Sequence, residues 1–413
     1  MKKVIVLTLI SLFGHSLHAQ DFRPIDTLSF ANFQANGFTY DTNTSLLIPF
    51  FINFDAVVQS GQERINILHI GGSHVQAGTL SHRIRKAIML AFPDAISHRG
   101  MIFPYSVAKN CNNPSDYKVS SNRTFDLTRN VERNLSIPLG VTGIAVSTSD
   151  SAEILIRLND ADLSFQTDKI IILGYPTIGN VIPSLKIDTT LLTPNYIDTV
   201  LHRYTFLLPI VCDSFRIFLP CDSLNRFTLT GVFLDNSRPG ITFHSIGVNG
   251  ASVSSFLKCD NFEQDLELIS PDLVIFGIGI NDAAGNNFDT VAFKNNYLTL
   301  INRIRRINPD CAFIFITNND SYQKLSRKKY VVNQNGLLAR DVFYRLATMT
   351  FGAVWDQFEI MGGLRSMDQW RLERLAQNDR VHFTNKGYSL LGDLFFNAFM
   401  DTKNNIINHL NKN

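Results

Sequence analysis

The sequence predicts an α/β protein: a five-stranded parallel, doubly wound sheet interrupted by an inserted antiparallel β-sandwich. Three observations carry this. Short apolar runs alternate with helical patterns at Ile65–Ile70 and again from Ile241 onward, as buried strands of a parallel sheet do. Between about Pro93 and Gly240 the texture changes to short β-branched or alternating runs separated by Asn, Asp, Pro and Ser clusters. The run Ile65–Ile70 ends abruptly at Gly71-Gly72-Ser73, so a serine stands on a tight turn between a strand and a helix.

The elements follow in order. Residues 21–45 show no clean period and read as an irregular arm. Leu46 to Val58 is apolar enough to pack as a helix or a strand. After Gly78, Leu80, Ile84, Ala87, Ile88 and Ala91 recur at helical spacing to about Phe92. The inserted region contains strand-like runs at Thr142–Ser147, Ala152–Leu158, Ile170–Leu173, Tyr204–Val211, Phe215–Leu219 and Phe227–Phe233. The α/β texture returns with the strand Ile241–Ile246 and a helical segment to about Leu268. Then come the runs Asp272–Ile278, Ala312–Thr317 and Ala353–Phe358, with helices over Val291–Ile307, Gly336–Thr348 and Asn385–Met400, the last with Thr384 as N-cap. This divides the chain into an N-terminal segment 1–19, an arm 20–60, an α/β domain at 61–95 and 241–413, and the insert at 96–240.

Met1-Lys2-Lys3, the apolar run Val4–Phe13 and a small residue at Ala19 read as a secretory signal peptide. That run is too short to span a membrane. Export is therefore expected, to the periplasm or beyond. Lys and Arg number 38 against 36 Asp and Glu, with no basic stripe, so no nucleic-acid partner is expected. The five cysteines have no metal spacing. Cys212 and Cys221 flank an apolar run and could pair if the chain folds back, although isolated buried thiols are the expectation for most of the five.

In a doubly wound sheet, ligands lie beyond the carboxyl ends of the strands. Ser73, Asn249-Gly250, Asn281-Asp282 and the Asp379-Arg380-Val381-His382 run all fall at such ends or just before the last helix. A serine nucleophile needs a base and the base needs an orienting carboxylate; His382 and Asp379 can fill those roles. The Ser73 and Gly250 backbone N–H groups and the Asn281 amide can form an oxyanion hole. His69, His74 and His82 have no metal spacing and are expected to have surface or packing roles, Asp282 to hold backbone, and Phe103-Pro104-Tyr105, Trp355 and Trp370 to sit in the core.

The set resembles the SGNH (GDSL-type) hydrolases in four blocks: Gly71-Gly72-Ser73-His74, Asn249-Gly250-Ala251-Ser252, Gly279-Ile280-Asn281-Asp282 and Asp379 through His382. The resemblance implies a flavodoxin-like fold, ester hydrolysis and no metal or other cofactor. It implies Ser73, Asp379 and His382 as catalytic residues, with Ser73, Gly250 and Asn281 at the oxyanion. His74 and Gln76 after the serine, together with the long insert, resemble secreted carbohydrate and peptidoglycan O-acetylesterases. The expected partner is thus an acylated carbohydrate or peptidoglycan. A lysophospholipase or thioesterase on the same site is the rival enzyme, and a carbohydrate-binding protein with a degenerate site the rival of another class. One departure stands out: the family carries Asp before the serine, where this chain has Gly72.

Overall fold

A computed structural model describes residues 28–95, 98–109, 111–158, 165–326 and 329–412. The expected signal peptide lies outside them. The central sheet runs Phe38–Tyr40, Ala353–Trp355, Ala312–Ile316, Leu273–Gly277, Arg64–Gly71, Gly240–Gly247. The last five are mutually parallel. The sheet thus has six strands rather than five. The extra one comes from the segment expected to be irregular: Phe38–Tyr40 pairs antiparallel with Ala353–Trp355. Three residues are too few to show a period. The Trp355 indole N–H, which donates to Asn36 Oδ1 at 2.9 Å, anchors the segment instead.

Side chains alternate across the pleat. On one face Ile65, Ile67, Phe243, Leu273, Ile275 and Ile314 share a core with the helices Leu47–Ser60, Thr79–Ala91 and Asn385–Leu410. There Phe51 and Phe54 meet the Phe399 ring edge-on at 4.8 and 5.3 Å. Trp355 and Trp370 are buried in this core. On the other face Leu68, Ile70, Val274, Phe276, Phe313 and Phe315 pack with Thr290–Arg305 and Asn335–Thr350. The helical segment after Gly250 is two helices, Val253–Leu257 and Phe262–Ile269. Thr384 caps the last helix as expected, accepting from the Gly387 N–H at 3.2 Å.

The intervening region forms two antiparallel sheets. One has five strands, with Ala152–Leu158 flanked by Tyr117–Ser121 and Ser214–Leu219. The other has seven and is built on the long pair Thr167–Ile178 and Arg226–Asp235. Their apolar residues join the same cluster as Leu68 and Phe276, so the insert's core is continuous with one face of the parallel sheet. Asp116 ties the insert to the serine-side helix: it accepts from Arg85 at 2.8 Å and Arg99 at 2.7 Å, and all three side chains are buried. All five cysteines are free thiols. Cys212 and Cys221 do not pair: Cys212 lies beside Ser214–Leu219, a strand that separates it from Cys221. Among the described residues no helix is long and apolar enough to cross a membrane.

Candidate active site

The serine turn rests on a row of glycines. Gly247, Gly71 and Gly277 are in register at the ends of three adjacent parallel strands. A Cβ on Gly71 would lie 2.4 Å from Val75 Cγ2, and one on Gly247 would lie 2.3 Å from the Gln76 nitrogen. Only bare backbone lets the short helix Ser73–Gln76 settle this closely on the sheet. Ser73 opens that helix, with its side chain turned toward the last block.

Across 309 positions of sequence, Ser73 Oγ donates to His382 Nε2 at 2.7 Å. His382 Nδ1 donates to Asp379 Oδ2 at 2.7 Å, which selects the tautomer that leaves Nε2 free to accept. The other carboxylate oxygen accepts from the Val381 and His382 N–H groups, each at 3.0 Å. Burial pushes the Asp379 carboxyl up, but the His382 ring and these two N–H groups outweigh it and hold Asp379 down at about 2.

The loop between these residues is clamped from outside. Arg380 takes a left-handed backbone, φ 60°, which a non-glycine residue adopts only with support. Its guanidinium donates to Asp368 at 2.7 Å and lies 4.4 Å from the Tyr330 ring centre. Tyr330 belongs to a hairpin, Tyr322–Ser326 with Lys329–Val332, that sequence reading missed. The half-exposed residues of that hairpin carry no clear alternation.

Asn281 Nδ2 donates to Ala251 O at 2.9 Å, so one amide hydrogen fixes its orientation and the second is available. Gln76 Oε1 accepts from the Asn249 N–H at 2.6 Å and ties the second block to the serine helix. Ser73, Gly250, Asn281 and His382 line one cleft of about 640 Å³. Asn112 and Asn113 of the insert also line it, a placement with no local sequence signal. Asp282 holds backbone, accepting from the Val253 N–H at 3.1 Å, and burial raises its carboxyl to about 7. His74 Nδ1 lies 2.8 Å from the Tyr388 hydroxyl, and the His74 ring packs 5.0 Å from that of His382. Burial foremost, then the neighbouring His382, lowers His74 to about 3, so it stays neutral. His69 is buried with Ser81 Oγ at 2.9 Å. Phe103 and Tyr105 are core residues.

Residues 232–390 match the model of the GDSL-like Lipase/Acylhydrolase family. That segment belongs to the family. It contains the blocks around Gly250, Asn281 and His382, while Ser73 is separated from it in sequence by the insert and rejoined to it in space. The chain is an ester hydrolase. Its fold is that of a solved peptidoglycan O-acetylesterase, with a TM-score of 0.73 and 20% identity over 89% of this chain and 99% of the other. An acetyl xylan esterase, AlAXEase, aligns at 18% identity over 38% of this chain and 79% of its own, with a TM-score of 0.30. A GDSL-like lipase from Bacteroides thetaiotaomicron aligns at 18% identity over 38% of this chain and 74% of its own, with a TM-score of 0.29. Scores that low bear no weight. No curated protein sequence matches the chain.

Proposed function

We propose that this GDSL-type hydrolase is an exported serine esterase that removes acyl groups, foremost O-acetyl, from a carbohydrate or peptidoglycan. The observation that carries the reading is the unbroken chain Ser73 Oγ, His382 and Asp379, with 2.7 Å at each step. His382 Nε2 takes the Ser73 proton as the oxygen attacks the ester carbonyl. The oxyanion is received by the Ser73 and Gly250 N–H groups and the second Asn281 amide hydrogen. His382 then returns the proton to the departing sugar oxygen, leaving acyl-Ser73. Water, deprotonated by the same imidazole, releases the acid.

The cleft favours a sugar over a lipid. Asn112, Asn113, Asn249, Asn385, Gln76 and Gln377 line it, and amides pair with hydroxyls rather than with an acyl chain. The likeness to a peptidoglycan O-acetylesterase over most of both chains supports the polymer class, and the two-sheet insert supports a role in holding a polymer. The apolar run after Lys3 supports export.

Hydrolysis of p-nitrophenyl acetate by purified Ser73→Ala should fall by about 10⁴-fold or more, with an unchanged melting temperature. Residual turnover within tenfold of the parent would remove Ser73 from the chemistry. Acetyl esters should be cleaved faster than octanoyl esters; the reverse order would support the lysophospholipase reading.

A further inference from the structure

The insert meets the serine turn at the loop around Pro114. Gly78 follows the serine helix at φ +79°, and a Cβ there would lie 2.4 Å from Pro114 Cβ. Asn112 and Asn113, beside that proline, form a wall between the serine cleft and a second groove of about 640 Å³, and both residues line both spaces. The wall is held from behind: Asn113 Nδ2 donates to Ser106 Oγ at 2.7 Å and the Ser106 N–H donates to Asn113 Oδ1 at 3.2 Å.

The second groove opens onto the solvent face of the five-stranded sheet. Along Ala152–Leu158 buried residues alternate with Glu153, Leu155 and Arg157, and along Tyr117–Ser121 Lys118 and Ser120 are the exposed residues. On the next strands the same face carries Arg216 and Lys186, which are in register with each other. The outward strand positions therefore hold four cations and one carboxylate, Glu153. That carboxylate pairs with Arg216 at 3.3 Å. Lys118 lies directly opposite Arg157 in the antiparallel register, both line the groove, and neither forms a salt bridge among the described residues. Like charges placed opposite each other weaken a strand pair. Nothing in the folding of the sheet calls for that arrangement, whereas an anionic ligand does.

We propose that this groove receives carboxylates of the short peptides hanging from a peptidoglycan strand whose ester sits at Ser73. The proposal rests on the esterase reading and adds what the site recognises beyond the ester. The amide-lined cleft takes the sugar, and the wall at Asn112 and Asn113 separates it from the two cations. Lys118 and Arg157, on flexible stems, attract carboxylates through charge that salt screens.

The test is co-sedimentation of the full chain with peptidoglycan stripped of its O-acetyl groups, using the parent and a Lys118→Gln/Arg157→Gln double variant. Both side chains are exposed and outside the serine cleft, so p-nitrophenyl acetate turnover should stay within about twofold. Binding by the double variant should weaken about tenfold, and the parent's binding should fall between about 0.05 and 0.3 M salt while the variant's hardly moves. The parent should lose affinity equally on peptidoglycan whose carboxyls have been amidated, and the swap Lys118→Arg/Arg157→Lys should restore it. Equal sedimentation of parent and double variant would overturn the proposal. So would an equal loss by the double variant on neutral acetylated xylan, or no sedimentation by the parent. Because the polymer carries no ester, failure to release acetate from O-acetylated peptidoglycan would count against the esterase reading and leave this result standing.

Discussion

Asp379 and Asp116 are both held at about 2, by different means and to different ends. In each, burial pushes the carboxyl up and is outweighed. At Asp116 the counterweight is charge: Arg99 and Arg85, with His82 behind them. All three partners of the ion cluster are about 1% exposed. At Asp379 the counterweight is hydrogen bonding from one imidazole and two backbone N–H groups, and nearly half of the side chain is exposed. A buried charge between two cations is a commitment of the fold, since removing one partner strands the others. A half-exposed carboxylate accepting from an imidazole sets a tautomer, and its removal strands no buried charge. The insert is bolted on by the first kind of aspartate, and the His382 ring is oriented by the second.

The largest separable effect follows from Asp116. Asp116→Asn removes the buried carboxylate that the Arg85 and Arg99 guanidiniums share and should cost about 3–5 kcal/mol of stability by urea unfolding. The p-nitrophenyl acetate kcat of the folded protein should hold within about twofold. Because the folded carboxyl is depressed, its stabilisation is complete above the unfolded value of about 3.9 and is lost as pH falls through about 2. The parent should therefore lose melting temperature more steeply than Asp116→Asn between about pH 4 and pH 2. Parallel curves would show that the cluster does not depend on this charge.

The serine end of the comparison was more legible in the sequence than the insert end. Ile65–Ile70, the Gly-Gly-Ser turn and the Asp379–His382 spacing are local features, and each dictates its own geometry. The bolt is not local: Arg85 lies on a helix and Arg99 and Asp116 on two separate connections, and nothing around any one of them names the other two. The same holds for the row Gly247, Gly71 and Gly277. Each glycine reads as a strand end, and only the register makes them a seat for the serine helix. Phe38–Tyr40 and the Tyr322–Val332 hairpin escaped because short, half-exposed strands carry too little pattern.

On the chemical side, Asn281→Ala removes the amide proposed as an oxyanion donor and should lower kcat by about 10²–10³-fold, with KM nearly unchanged. Its cost to stability should be small beside that of Asp116→Asn, since only the bond to Ala251 O is lost. An effect confined to KM would move Asn281 from the oxyanion to ground-state binding.

The smallest effect is expected at the one departure from the family pattern. Gly72 sits at φ −94°, outside the left-handed region that favours glycine. A Cβ would lie 3.3 Å from Asn281 Nδ2 and 3.4 Å from Ala251 O, so the amide must give by a few tenths of an ångström. A carboxylate on that Cβ could accept from the same amide and reinforce its orientation. It would also bring negative charge toward the oxyanion it is meant to serve. These two effects oppose each other, while losing glycine's unfolded-state freedom adds about 0.4–1 kcal/mol of stability. Gly72→Asp should thus melt no lower than the parent and keep kcat within about threefold. A folded Gly72→Asp protein slowed tenfold or more on p-nitrophenyl acetate would mean that the carboxylate captures the Asn281 amide, and that glycine at this position keeps the oxyanion donor free.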